Sequence, residues 1–115
     1  MVTDFSINTE FKNGCLILST KGYLNNNGGE KMLHEYLEQA KKGVNSVIVN
    51  LAETNVVNSI GISFLIEIIE KVNEAEGQLY FTNVDPAIEK TFDIMGIFQF
   101  AQKAASVEEA LGTAG

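Results

Sequence analysis

Ser59 stands in the stretch NVVNSIGISFL, Asn55 to Leu65, between an asparagine and a glycine-containing, strongly apolar run. Three kinds of chemistry fit a serine there. As a nucleophile it needs a neighbouring base and an oxyanion hole. His34 is the only histidine, and helical phase puts it beside an apolar stripe, at the solvent edge. The elbow pattern G-x-S-x-G is nearly met by Gly61-Ile62-Ser63, but Leu65 replaces the second glycine, and Ser63 falls one turn inside a helix. As a helix cap, Ser59, or Asn58 before it, accepts a hydrogen bond from an orphan amide of the first turn. As a phosphate acceptor, Ser59 would hold the group at the positive end of a helix dipole, where it is tolerated.

Other chemistries lack their parts. A glycosidase needs two carboxylates facing across a cleft, whereas Glu67, Glu70, Glu74 and Glu76 read as a solvated helix face. NNNGGE, Asn25 to Glu30, is glycine-rich without the lysine of a phosphate-binding loop. It reads as a mobile rim loop, with weak anion or nucleotide contact as the lesser reading. Cys15 is the only cysteine, so an internal disulfide and a cysteine zinc site are excluded. Within CLILS it reads as a buried, inert thiol. No metal and no cofactor are expected.

Across 115 residues the formal charge is −7, and all the basic residues are lysines. A basic face and arginine forks, the usual means of holding nucleic acid, are missing. An anionic membrane surface is disfavoured for the same reason. The start MVTDFSINTE carries no signal-type segment, and no window reaches the ~20 apolar residues of a membrane span. A cytoplasmic domain spanning 1–115, with its own core, is expected.

Periodicity supplies the elements that must position Ser59. TDFSINTEF alternates, with Phe5, Ile7 and Thr9 on one side of a strand. Asn13-Gly14 then turns the chain into CLILSTKG, antiparallel to it. A helix follows, starting at Asn27 with Glu30 three residues on and ending at Gly43. Leu33, Tyr36, Leu37 and Ala40 share one of its faces. SVIVNL is a buried parallel strand, residues 59 to 76 a helix closed by Gly77, and QLYFTNV another strand. Asp85-Pro86 opens a third helix ended by Gly96. IFQF is a short last strand, and Ser106 with Glu109 makes a capping box for a terminal helix.

The order β-β-α-β-α-β-α-(β)-α predicts an α/β fold with a mixed central sheet of four to five strands, about four helices and an N-terminal β-hairpin. Helical crossovers make strands two, three and four parallel. Their carboxyl ends share one rim, formed by the loops 22–27, 52–59 and 83–85, where ligands and partners of such sheets gather. Ser59 lies on that rim at a helix start. Behind it, Ile62, Leu65, Ile66, Ile69 and Val72 form a stripe for the sheet. Ile60, Phe64 and Ile68 form a second, either packed on a neighbouring helix or left as a contact patch beside the serine.

Element order, length and NVVNSIGISFLIEII resemble the STAS domain of bacterial anti-sigma factor antagonists, from the first hairpin to the terminal helix. That family's signature, D-S-S/T-G-L/I-G after a strand ending N-L or D-L, stands here as Asn58-Ser59-Ile60-Gly61-Ile62-Ser63 after Asn50-Leu51. DPAIEKTFDIMGIFQF is similar to a second family segment. Asn58 replaces the usual aspartate, and Gly22-Tyr23-Leu24-Asn25 ends in asparagine where the family often has another. Ile60 replaces a small hydroxyl residue.

The resemblance implies a non-catalytic phospho-switch of the kind used in stress response or sporulation. Unphosphorylated on Ser59, it would bind an anti-sigma factor that is a serine kinase and free the sigma factor. A phosphoserine phosphatase would reset it, with the protein acting as a monomer or weak dimer. Tyr23, Leu24, Asn25, Asn26, Asn27, Asn58, Ser59, Ile60, Gly61, Ser63 and Asn83 are the expected partner surface. The other reading is a STAS scaffold or sensory module that binds a protein complex or a small nucleotide or lipid.

Overall fold

The computed structural model describes residues 5–114. Alternation makes β1 (Ser6–Lys12), with Ile7 and Thr9 half-buried between exposed neighbours. Thr3 and Asp4, expected in this strand, lie outside the described residues. Asn13 and Gly14 both take positive φ, 53° and 80°, as a two-residue primed turn requires. They set Lys12 opposite Cys15, the first residue of β2 (Cys15–Leu24).

The remaining elements are α1 (Asn26–Ala40), β3 (Ser46–Val57), α2 (Ser59–Glu74), β4 (Gln78–Thr82), α3 (Pro86–Ile94), a 3₁₀ turn (Ile97–Gln99), β5 (Gln102–Ala104) and α4 (Val107–Ala114). The strands lie side by side in chain order, β1 antiparallel to β2 and each later neighbour parallel. Among the described residues the expected α/β fold is present, with a mixed five-stranded sheet, four helices and the N-terminal hairpin.

Alternating side chains give the sheet two apolar faces. Leu16, Leu18, Val47, Val49, Leu79 and Phe81 point into the main core with Met32 and Tyr36 of α1, Ile62, Leu65, Ile69 and Val72 of α2, and Ile88 and Phe92 of α3. Cys15, Ile17, Ile48, Tyr80 and Ala104 face the other way, onto Ala110 and Leu111 of α4.

Several boundaries differ from the sequence expectation. Asn25, rather than Asn27, caps α1, its side chain accepting from Gly28 N at 3.0 Å. Leu37, expected on the buried face, is exposed, while Met32 is fully buried. IFQF is not a strand. Gly96 (φ 73°) turns the chain, and Ile97 and Phe98 pack inward, Phe98 edge-on to Phe81 and Phe92 with centroids 6.4 and 5.9 Å away. The last strand comes later, in the short polar segment Gln102–Ala104, which carries no apolar signature of its own.

β3 also runs past Leu51 to Val57. It stays paired to β2 through two register shifts that insert extra β3 residues, as far as Leu24 opposite Val57. A buried Thr20–Thr54 hydroxyl pair, 2.7 Å apart, ties this extension together. Asp85 and Ser106 cap α3 and α4 as expected, accepting from Ala87 N at 2.9 Å and Glu109 N at 3.1 Å.

The second apolar stripe of α2 divides between its two readings. Ile68 is fully buried and Ile60 is half-exposed. Phe64 lies over Gly29 of α1 so closely that a Cβ on Gly29 would run into its ring. Gly29→Ala is therefore expected to cost about 1–3 kcal/mol by over-packing, read by urea titration. The same change in a Phe64→Ala background should cost clearly less, because the clashing ring is gone. Burial also pushes the Cys15 thiol pKa up, so iodoacetamide should label Cys15 in urea and leave the native protein unlabelled.

Candidate functional site at the start of helix α2

The chain leaves β3 at Val57 and enters α2 through Asn58, whose extended backbone (φ −113°, ψ 177°) lets its side chain turn back over the helix end. Asn58 Oδ1 accepts from Gly61 N at 2.8 Å, and Asn58 N donates to Leu24 O at 3.1 Å. The cap is therefore Asn58. Ser59 is the first helical residue, exposed, and among the described residues no side-chain hydrogen bond engages its hydroxyl. Of the three chemistries open to Ser59, simple capping is already performed by its neighbour.

Gly61 is needed for a close approach. A Cβ there would collide with the Leu24 carbonyl oxygen at the end of β2. The first turn of α2 thus rests directly on the β2 backbone, and the serine's position follows from that contact. Ile60 and Val56, 50% and 51% exposed, leave apolar surface at the same end of the molecule. Val56 pairs with half-buried Tyr23 across the β2–β3 extension. Val56 was not among the expected partner residues, because its segment was read as loop. The β-branched residues Thr54, Val56 and Val57 are the available signal.

The expected site residues separate into groups. Tyr23 and Asn25 are half-buried, Asn26 and Asn27 exposed, around the end of β2 and the start of α1. Leu24 belongs to the core at 0% exposure, so its side chain offers no contact surface. Its carbonyl is what matters. Gly61 is likewise buried. Ser63 is exposed, but its hydroxyl donates to Ile60 O at 2.6 Å, within its own helix.

Asn83 lies elsewhere. β4 ends with Thr82 opposite Asn50, while β2 and β3 continue together from Ser19–Asn50 to Leu24–Val57, about 17 Å further along β2. Asn83 instead lines a cavity with Glu89, Lys103 and Glu109. His34 is exposed on α1, beside Phe5 and Ile7, and among the described residues no hydrogen bond joins it to Ser59 or Ser63. The first turn of α2 contains no acidic residue, so its unpaired amides face any incoming anion without carboxylate repulsion from that turn.

A mixed sheet with a hairpin at one edge thus carries an exposed serine at the start of its second helix. The STAS domain family model matches residues 6–110, and the chain belongs to that family. It is 25% identical over 97 residues to BtrV of Bordetella bronchiseptica, which carries the name of an anti-sigma factor antagonist, with 84% of each chain covered. An anti-sigma factor antagonist from Mycobacterium paratuberculosis has the same fold, with TM-score 0.86 and 14% identity over 99% of this chain and 98% of that one. The Bacillus cell fate determinant SpoIIAA, solved in its phosphorylated form, superposes with TM-score 0.77 and 17% identity over 96% and 100%. Among the described residues no helix is long and apolar enough to cross a membrane.

The cap assignment is testable by stability alone. Asn58→Ala should cost about 1 kcal/mol, and Ser59→Ala should stay within about 0.5 kcal/mol of wild type, both by urea unfolding. A Ser59→Ala cost equal to that of Asn58→Ala would return the cap to the serine.

Proposed function

We propose that this protein is an anti-sigma factor antagonist whose binding is switched by phosphorylation of Ser59. The observation that carries the reading is the state of that hydroxyl: exposed at the first position of α2, with the capping work done by Asn58. A kinase reaches such a group without unfolding anything. The product is tolerated, because the helix dipole and the amides of the first turn favour an anion there.

The names carried by BtrV and SpoIIAA, and the existence of SpoIIAA in a phosphorylated form, support the same reading. The partner would be an anti-sigma factor with serine kinase activity. In the unphosphorylated state it meets a neutral, partly apolar surface made by Ile60, Val56 and Tyr23 around Ser59. Phosphorylation adds roughly −1.5 to −2 charges. A surface shaped for the neutral serine would then hold a desolvated, unpaired dianion, and the complex would open. A phosphatase acting on phosphoserine would restore binding. In this role the chain performs no catalysis itself, and Asn58 and Asn25, in place of acids, lower the charge that an incoming nucleotide phosphate meets.

The test compares wild type, Ser59→Ala and Ser59→Asp as baits in lysate of the native organism, followed by phosphosite mapping. Wild type and Ser59→Ala should retain an ATP-dependent serine kinase, and Ser59→Asp should bind it about a hundredfold more weakly. Phosphate should appear on Ser59 of wild type only. Equal capture by all three forms would replace the switch with a constitutive scaffold.

A further inference from the structure

We infer that a groove between α2 and the corner after α3 is a second docking surface, built for an amphipathic helix with cationic flanks. Ile66, Ile69 and Asn73 of α2 form one wall, and Met95, Ile97 and Phe100 the other, around a cavity of about 230 Å³. The surface beside it is unusually apolar. Ile94 is 77%, Phe100 64% and Met95 49% exposed, and large side chains clustered in this way cost solvation unless something covers them.

The patch is held rather than loose. Asn73 Nδ2 donates to Phe100 O at 3.2 Å, and Phe100 N donates to Ile97 O at 3.0 Å. Ile97 is anchored in the main core. Phe100 is therefore presented on a fixed backbone, which suits an anchor for a partner side chain.

Charge selects the occupant. Glu70 lines the groove, Glu67 and Glu74 lie within one turn of it along α2, and Asp93 is exposed beside Ile94. Two lysines lie on the same two helices as these four carboxylates. Lys71 is drawn toward Glu67 at 4.0 Å, and Lys90 lies one turn from Asp93 and Ile94. The border is net acidic, so an apolar strip flanked by lysine or arginine is complementary to it. A second copy of this chain would bring the same acids to the contact, and an anionic lipid surface would be repelled. The groove begins about 10 Å along α2 from Ser59, and its occupancy does not depend on the switch.

The test is an amide-resolved NMR titration of the full chain with a synthetic helix of roughly 18 residues, leucines on one face and lysines on its flanks. Shifts should concentrate at Ile66–Asn73 and Met95–Phe100. The pair Ile94→Ser and Phe100→Ser, both exposed, should weaken binding at least about tenfold. Glu70→Lys should weaken it too and flatten its dependence on salt up to about 0.3 M. Ser59→Asp should leave it unchanged, which separates this site from the phospho-switch. Shifts scattered over the surface or centred on Ile60 would overturn the proposal, as would affinity indifferent to both sets of variants. Sedimentation showing a dimer that Phe100→Ser dissociates would assign the groove to a second copy instead.

Discussion

The Leu24 carbonyl oxygen is the point on which the serine's geometry turns. It accepts the Asn58 amide at 3.1 Å and occupies the space that a side chain on Gly61 would need. One backbone atom at the end of β2 thereby fixes the direction in which α2 leaves β3. The apolar stripe of α2 must meet the sheet at that angle, so Ile62, Leu65, Ile69 and Val72 are buried while Ser59 and Ile60 face outward. Packing and exposure here are two results of the same contact.

Much of this was legible from residue types. Turn chemistry was the clearest signal: Asn13-Gly14 and Asp85-Pro86 do in the structure what their chemistry predicts, and Ser106 caps α4 while the Glu109 carboxylate accepts from Ala105 N rather than from Ser106 N. The continuous apolar run SVIVNL marked a strand covered on both faces. The misreadings share a different origin. β5 is three polar-leaning residues recruited by pairing with β4, and pairing leaves no trace in its own composition. IFQF looked like a strand because it is apolar, but Ile97 and Phe98 reach the core from a turn.

The site was legible in its centre and less so in its extent. Ser59, Asn58 and Gly61 stood out through motif and helix-start chemistry. Parallel strands of equal reach would bring Asn83 to the same rim. β2 and β3 outrun β4 instead, with two register shifts in their pairing that residue types do not announce. Leu24 was expected at the surface because its segment was read as loop, whereas strand pairing to Val57 places it inside.

The extension of β2 and β3 beyond the rest of the sheet has a dynamic consequence. Between Lys21 and Leu24, β2 pairs with β3 on one side, and β4 no longer supports β3 from the other. Among the described residues this stretch of β3 has one strand neighbour rather than two, and it opens at lower free energy than the body of the sheet, with the buried Thr20–Thr54 hydroxyl pair acting as the latch nearest its root. The free energy of opening at this end is therefore set locally rather than by the stability of the whole fold, while the hydrophobic layers beneath stay closed.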